Sequence, residues 1–331
     1  MKTKKPIENY VKDFVSVPQA KQITSVSSIV NDIGFDIWSF KKLIFLQNYI
    51  RPYLNIMRSR NCECFFVDLF SGCGANKIKN DSICSIGSPI ISLLSGVTYV
   101  KKRGIFNRFN RWFFVEENAN YINPLTKRVS ETVKIINDHH QTNIVDEKND
   151  IDIIHGDCNE KIQDIVDTII SYAHPRISVL AFIDPYKILN ISWSTWEKLL
   201  SLKYVDIIFT FPLRTLHGSM QSAKIDRCLP PSLRERKDEI LKMSDEEFSE
   251  LYAKDIVSIV HRDIYHYGKG IPVRNRKNTE LYRIEMFSHS PSSFKICDGI
   301  YDELENLDFS MLETIKEVAM GKQKCLKDIL P

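Results

Sequence analysis

The sequence is poor in the features that usually narrow a function. No stretch approaches the roughly 18 uninterrupted apolar residues that a membrane helix needs, so no membrane span is expected. The opening MKTKKPIENYVKDF carries charge but has no apolar run behind it, so no secretory leader is expected. The eight cysteines, Cys62, Cys64, Cys73, Cys84, Cys158, Cys228, Cys297 and Cys325, form no CxxC pair and no cysteine–histidine zinc spacing. Cys62-x-Cys64 is a weak metal signal, and no metal site is assigned. The thiols read as reduced core and surface side chains of a cytoplasmic chain. Charge of one sign is also lacking, because 45 Lys and Arg against 42 Asp and Glu leave only +3. That excludes a chain basic all over, but it leaves room for local basic patches. No internal repeat or low-complexity segment is present.

What is there is an ordinary globular composition, 43% hydrophobic and 26% charged over 331 residues, enough for one large α/β domain with insertions. Residues 1–35 are polar and weakly patterned, an arm. From Ile37 to Met57 apolar residues recur at helical spacing, with Lys41, Lys42, Arg51 and Arg58 beside them and Pro52 placed to kink or end the helix. The period then changes. FFVDLF at 65–70 is a short apolar run stopped by Ser71-Gly72-Cys73-Gly74, as expected of a buried parallel strand meeting a glycine turn. Gly87-Ser88-Pro89 marks a helix start, with Ser88 as its expected N-cap. Further strands are expected at Trp112–Glu116, Ile151–Ile154, Ile177–Ile183 and Val205–Phe211, with helices between them. Residues 213–278 read as a mostly helical insertion containing a Ser244/Glu247 capping box. Glu280–Phe287 and Ser293–Ile300 read as a closing antiparallel hairpin, followed by a helix around Met311–Met320.

Five strand–helix alternations predict a doubly wound α/β sheet, mostly parallel with a C-terminal antiparallel hairpin, the layout of class I methyltransferases. The core is expected over 36–212 and 279–301, with the insertion at 213–278 and a C-terminal helix in 302–331. In such a sheet a ligand binds beyond the carboxyl ends of the strands, where strand order reverses. Those ends carry Asp68, Phe70, Gly72 and Gly74 after the first strand, Glu116 after the second, Asp157 after the third and Asp184-Pro185-Tyr186 after the fourth. Each has a chemical use. Glycine permits positive φ and close approach of a ligand to the backbone. A carboxylate at the second strand end can accept both ribose hydroxyls. Asp157 could accept from an adenine amino group or simply cap a helix. Asp184-Pro185-Tyr186 offers an acceptor for a nucleophile beside an aromatic face. The turn GCGANK does not open directly into a helix as a pyrophosphate-binding GxGxxG does, which favours S-adenosylmethionine over a dinucleotide.

FFVDLFSGCG, GSP at 87–89, the lone DPY turn at 184–186, VDIIFTFP at 205–212 and YRIEMFSHSP…SFKICDGIY at 282–301 together resemble the three-Cys-motif partner (TcmP) proteins. The resemblance, discontinuous over about residues 35–300, implies a class I methyltransferase-like fold with an S-adenosylmethionine site. It also implies a partner protein bearing three cysteines in a radical-enzyme-like arrangement, and it supplies no reaction. By position it implies Asp68, Phe70, Gly72 and Gly74 as the cofactor turn, Glu116 as the ribose acid, Asp157 as the adenine contact and Asp184-Pro185-Tyr186 as the catalytic-side turn. DLFSGCG also resembles the cofactor turn of cytosine-5 DNA methyltransferases, but Pro185-Tyr186 stands where those enzymes need a nucleophilic Pro-Cys. Amino-methylating enzymes of nucleic-acid bases use a DPPY-type turn, from which Asp184-Pro185-Tyr186 is one proline short.

A nucleic-acid substrate is suggested by Lys101, Lys102, Arg103, Arg108 and Arg111, interleaved with Phe106, Phe109 and Trp112. The plainer reading is a solvated loop with its aromatics in the core. A second basic cluster is Arg274-Asn275-Arg276-Lys277, and His217, His261 and His266 could include a base. Three functions therefore stand open: methylation of nucleic acid, methylation of a small molecule or protein, and a non-catalytic partner that keeps the fold.

Overall fold

The computed structural model describes residues 17–32, 36–79, 84–100, 104–259, 264–268, 270–305, 307 and 312. Lys101, Lys102, Arg103, His261, the side chain of His217, much of the N-terminal arm and all but Leu312 of the helix expected around Met311–Met320 lie outside the described residues.

In chain order the principal elements are α1 (Val17–Ser25), α2 (Phe40–Ser59), β1 (Glu63–Asp68), β2 (Ala75–Lys77), β3 (Cys84–Ile86), α3 (Ser88–Ser95), β4 (Val97–Val100), β5 (Ile105–Arg108) and β6 (Arg111–Glu116). They continue with α4 (Ala119–His140), β7 (Ile151–His155), α5 (Cys158–Ser171), β8 (Ile177–Ile183), α6 (Trp193–Leu200) and β9 (Val205–Phe211). The last are α7 (Asp245–Ser258), β10 (Tyr265–His266), β11 (Ile271–Arg274), β12 (Glu280–Ser288) and α8 (Pro291–Glu305).

Among the described residues the central sheet has eight strands, and five of them, in the order β7-β6-β1-β8-β9, are parallel. β12 adds antiparallel to β9, and β10 and β11 both pair antiparallel with β12 at the edge. The chain winds from β1 outward to β7, then returns to β8 on the other side of β1. The order therefore reverses between β1 and β8.

The strands are apolar because both of their faces are covered. Along β1 the side chains alternate: Phe66 joins a core beneath α2, α3, α4 and α8, while Phe65 and Val67 join a second core beneath α5, α6 and α7. The protein is thus a mixed α/β structure with a mostly parallel sheet between two helical layers, compatible with a Rossmann-like fold.

Several expectations need correction. The antiparallel hairpin is formed by β11 and β12, whereas Ser293–Ile300 lies inside α8. Cys297, Ile300 and Leu304 are buried at three- and four-residue spacing, so the helical face outweighed the β-like composition. The segment 213–278 is helical through Ser258 but then supplies β10 and β11 to the sheet edge. Gly87, not Ser88, is the N-cap of α3, which leaves Ser88 in the first turn. Pro52 sits inside α2, which continues to Ser59. Two small hairpins, β2/β3 and β4/β5, were not anticipated. Among the described residues no helix is long and apolar enough to cross a membrane.

Candidate functional site

A crevice of about 470 Å³ opens at the carboxyl ends of β1, β8 and β9, beside the point where strand order reverses. Phe70, Ser71 and Gly72 enter it from the turn after β1, Asp184, Pro185 and Tyr186 from the end of β8, and Thr210 and Pro212 from the end of β9. Trp38, Ser39 and Lys42, around the start of α2, form the opposite wall with Tyr282 of β12.

Glycine is needed in the β1 turn for two separate reasons. Gly72 has φ +60, and a Cβ there would meet nothing within 4 Å, so its bare Cα faces open space. Gly74 has φ +78 and packs against Leu125 of α4, while a Cβ on Gly87 would meet the Gly74 backbone at 3.1 Å. The Gly87 N–H donates to the Gly74 carbonyl at 2.9 Å, which closes the β2/β3 hairpin against the turn. Beneath it the wholly buried Arg128 donates to the Cys73 carbonyl at 2.7 Å and to the carbonyls of Thr24, Ser27 and Ile29. No sequence signal singled out Arg128. It ties the segment after α1 to the glycine turn, and Asn31 at the end of that segment lines the crevice.

Three expected acids surround the turn in different states. Glu116 accepts the Gly72 N–H at 2.8 Å and the Asn118 N–H at 2.7 Å, one with each carboxylate oxygen. Burial raises its pKa above the ordinary value, and those N–H groups oppose the rise. Asp68 is fully buried at the end of β1, with one oxygen accepting the Phe70 N–H at 3.1 Å and Oδ2 left without a hydrogen-bond partner among the described residues. Burial lifts its carboxyl to about 7, against the opposing influence of the Ser88 hydroxyl and the Phe70 N–H. Asp157 is the N-cap of α5, its Oδ1 accepting from the backbone and side chain of Asn159 at 2.9 and 2.6 Å. Of the six expected cofactor residues Phe70 and Gly72 line the crevice, whereas Asp68, Gly74, Glu116 and Asp157 stand outside its lining.

The catalytic-side turn holds a pair that the sequence did not suggest. Lys42 Nζ donates to Asp184 Oδ2 at 2.5 Å, and the same ammonium lies 5.6 Å from the centre of the Tyr282 ring. Tyr282 is fixed by donating its hydroxyl to the Trp38 carbonyl at 3.1 Å. Tyr186 is 63% exposed, with Lys187 Nζ 5.9 Å from its ring centre. Thr210 is only 3% exposed, and its Oγ1 has no hydrogen-bond partner among the described residues.

The described members of the proposed nucleic-acid segment lie elsewhere. Arg111 forms a two-point ion pair with Asp152 of β7 at 2.5 and 2.8 Å, and Arg108 pairs with Asp150 at 3.0 Å. Phe109 and Trp112 are buried core residues. Arg111 opens β6 and Glu116 closes it, so five rises of about 3.3 Å separate the arginine from the crevice end by about 17 Å. In the second basic cluster Arg274 pairs with Glu280 at 2.9 Å. His266 is held by the buried Glu285 at 2.7 Å, away from the crevice.

The fold and this site define a mixed α/β protein with a polar, partly aromatic crevice at its topological switch point. No protein-family model matches the chain, and no curated protein matches it. The crystal structure of LPL1258 from Legionella pneumophila strain Philadelphia 1, assigned to the DUF519 family model, is similar at a TM-score of 0.43 and 10% identity, covering 76% of this chain and 88% of that one.

Proposed function

We propose that the chain is a class I, S-adenosylmethionine-dependent methyltransferase acting on nucleic acid. The observation that carries the proposal is the bare, positive-φ Gly72 turn opening onto a crevice shared with Asp184-Pro185-Tyr186. The sheet order supports it: five parallel strands reversing beside β1, then an antiparallel strand inserted next to β9, is the layout on which the motif expectations rest.

The residues present fit such a cofactor. A space that a Cβ would fill stands above Gly72, and the unpartnered Asp68 Oδ2 sits at the same strand end. Phe70 and Gly72 would hold the cofactor along the turn, with Asp68 and Gly74 shaping that turn from behind and Glu116 and Asp157 toward its nucleoside. Bound there, the sulfonium supplies an electrophilic methyl group. The protein's own part is to place a nucleophile in line and to accept its proton, a demand that Asp184 meets. The exposed Tyr186 ring offers a stacking surface for a base.

The test is transfer of labelled methyl groups to single- and double-stranded RNA and DNA. Turnover on one of them, reduced at least about 100-fold in Asp184→Asn with cofactor binding retained, is the expected result. The Lys42–Asp184 ion pair favours a second reading, a non-catalytic partner of a three-cysteine, radical-enzyme-like protein, because it occupies an oxygen that a base would need free. Cofactor binding without transfer to any nucleic acid, together with a stable complex with such a protein, would establish that alternative.

A further inference from the structure

The crevice lining sets Lys42 and Lys79 against Asp36 and Asp184, and part of its hydrogen-bonding capacity is unmet among the described residues. Lys42 has one carboxylate partner, Asp184, and its ammonium also lies over the face of Tyr282. Lys79 lines the same crevice and Lys187 stands over Tyr186, and neither has a carboxylate partner among the described residues. Thr210 Oγ1, buried and without a hydrogen-bond partner among the described residues, adds a polar group at the crevice wall whose desolvation none of those residues offsets. Beside these polar groups lies the 63% exposed ring of Tyr186. An exposed aromatic flanked by ammonium groups suits a ligand that is both planar and anionic.

The type of cation narrows the anion. These are lysines, compact point charges on flexible stems, and no arginine fork is among the described lining residues. Lysine serves phosphate well as a point charge, whereas planar carboxylates are matched best by arginine. We propose that the crevice binds one nucleotide unit, its base on Tyr186 and its phosphate on Lys42 and Lys79. Lys42 is the positioning residue that leaves Asp184 for the phosphate. Asp184 Oδ2 then becomes free to accept a hydrogen bond from the base, and Thr210 supplies a further contact at the wall. The Lys42–Asp184 pair is thus the unliganded state of a recognition site. This deepens the methyltransferase reading by naming the unit the site takes and by moving recognition away from residues 101–111.

The test measures equilibrium binding of the four nucleoside 5′-monophosphates, the four nucleosides, benzoate, inorganic phosphate and a short single-stranded oligonucleotide to the full chain, in excess S-adenosylhomocysteine. At least one monophosphate is expected to bind 10-fold or more tighter than its nucleoside. Lys42→Met should abolish that ratio, Lys42→Arg should keep most of it, and Tyr186→Ala should weaken monophosphate and nucleoside alike. Thr210→Val, which keeps the volume, should weaken the same ligand several-fold and serves if Lys42→Met does not fold. Tighter binding of the oligonucleotide than of any monophosphate assigns the unit to a strand, and the reverse assigns it to a free nucleotide. Nucleosides binding as tightly as monophosphates, benzoate competing equally, phosphate alone binding, or an unchanged ratio in Lys42→Met would overturn the proposal. S-adenosylhomocysteine binding, followed in the same samples, separates the two ideas. Its absence with the nucleotide ratio intact removes the methyltransferase reading only, and its presence with no ratio removes this inference only.

Discussion

Asp68 and Asp206 are both wholly buried carboxylates in the central sheet, yet they are treated oppositely. Asp206, near the amino end of β9, accepts hydroxyl hydrogen bonds from Tyr49 at 2.6 Å, Ser288 at 2.5 Å and Ser293 at 3.2 Å. Asp68, at the carboxyl end of β1, keeps one oxygen unpartnered beside the crevice. Burial raises both, to about 6 for Asp206 and about 7 for Asp68. A buried polar group is ordinarily satisfied, and an exception asks for a reason. The Asp206 carboxylate completes its hydrogen bonds from within the chain. The crevice end of the sheet leaves Asp68 Oδ2 and Thr210 Oγ1 open, which is what a ligand-binding end requires.

The comparison is tested most severely at Asp206. Asp206→Ala strands three buried hydroxyls and should cost about 3 kcal/mol or more in urea unfolding. A loss below about 1 kcal/mol would mean the network is not holding the structure.

Next comes Arg128→Met, which removes the donors from Cys73 and the segment after α1. It should cost about 2–3 kcal/mol and weaken cofactor binding about 10-fold, through loss of the tie to the glycine turn. Lost stability with unchanged affinity would confine Arg128 to the scaffold.

Asp68→Asn should raise stability at pH 7 by about 1 kcal/mol or more, because it removes the cost of ionising a buried carboxylate while giving up few hydrogen bonds. The two acids also differ in pH dependence. Each has a folded pKa above its ordinary 3.8, so between that value and the folded one the native state holds the extra proton. Stability from each is full at low pH and is lost as pH rises through the folded pKa. The difference between wild type and Asp68→Asn in melting temperature should therefore keep changing up to about pH 7. For Asp206→Asn it should level off near 6. The smallest effect belongs to Arg111→Ala, under about 1 kcal/mol for a partly exposed pair and with no change in crevice affinity. A steep loss of nucleic-acid binding in that variant would instead restore residues 101–111 as the binding face.

How far this was legible differs by element. Four of the five parallel strands announced themselves as apolar runs, FFVD and ISVLAFI among them, because burial on both faces leaves no polar alternation to misread; β7, IDIIH, is only partly buried. Short pairings such as β2/β3 and β4/β5 have three or four residues per strand, too few to show a period. β11, IPVR, was hidden for the same reason. In α8 the signal existed in the spacing of Cys297, Ile300 and Leu304, but SFKIC reads locally as strand. At the site, the glycine turn and Asp184-Pro185-Tyr186 were readable because local geometry dictates glycine and strand ends gather polar residues. Lys42 and Arg128 were not. Their partners lie 142 residues away at Asp184 and 55 residues away at Cys73, contacts that only the tertiary fold brings together.

The most direct test of the account is calorimetric titration of S-adenosylmethionine and S-adenosylhomocysteine into the wild type and into the double variant Gly72→Val with Glu116→Ala. Micromolar binding to the wild type, lost in a double variant that remains folded, is the predicted result. A folded wild type that binds neither molecule would contradict the cofactor site and the methyltransferase reading built on it.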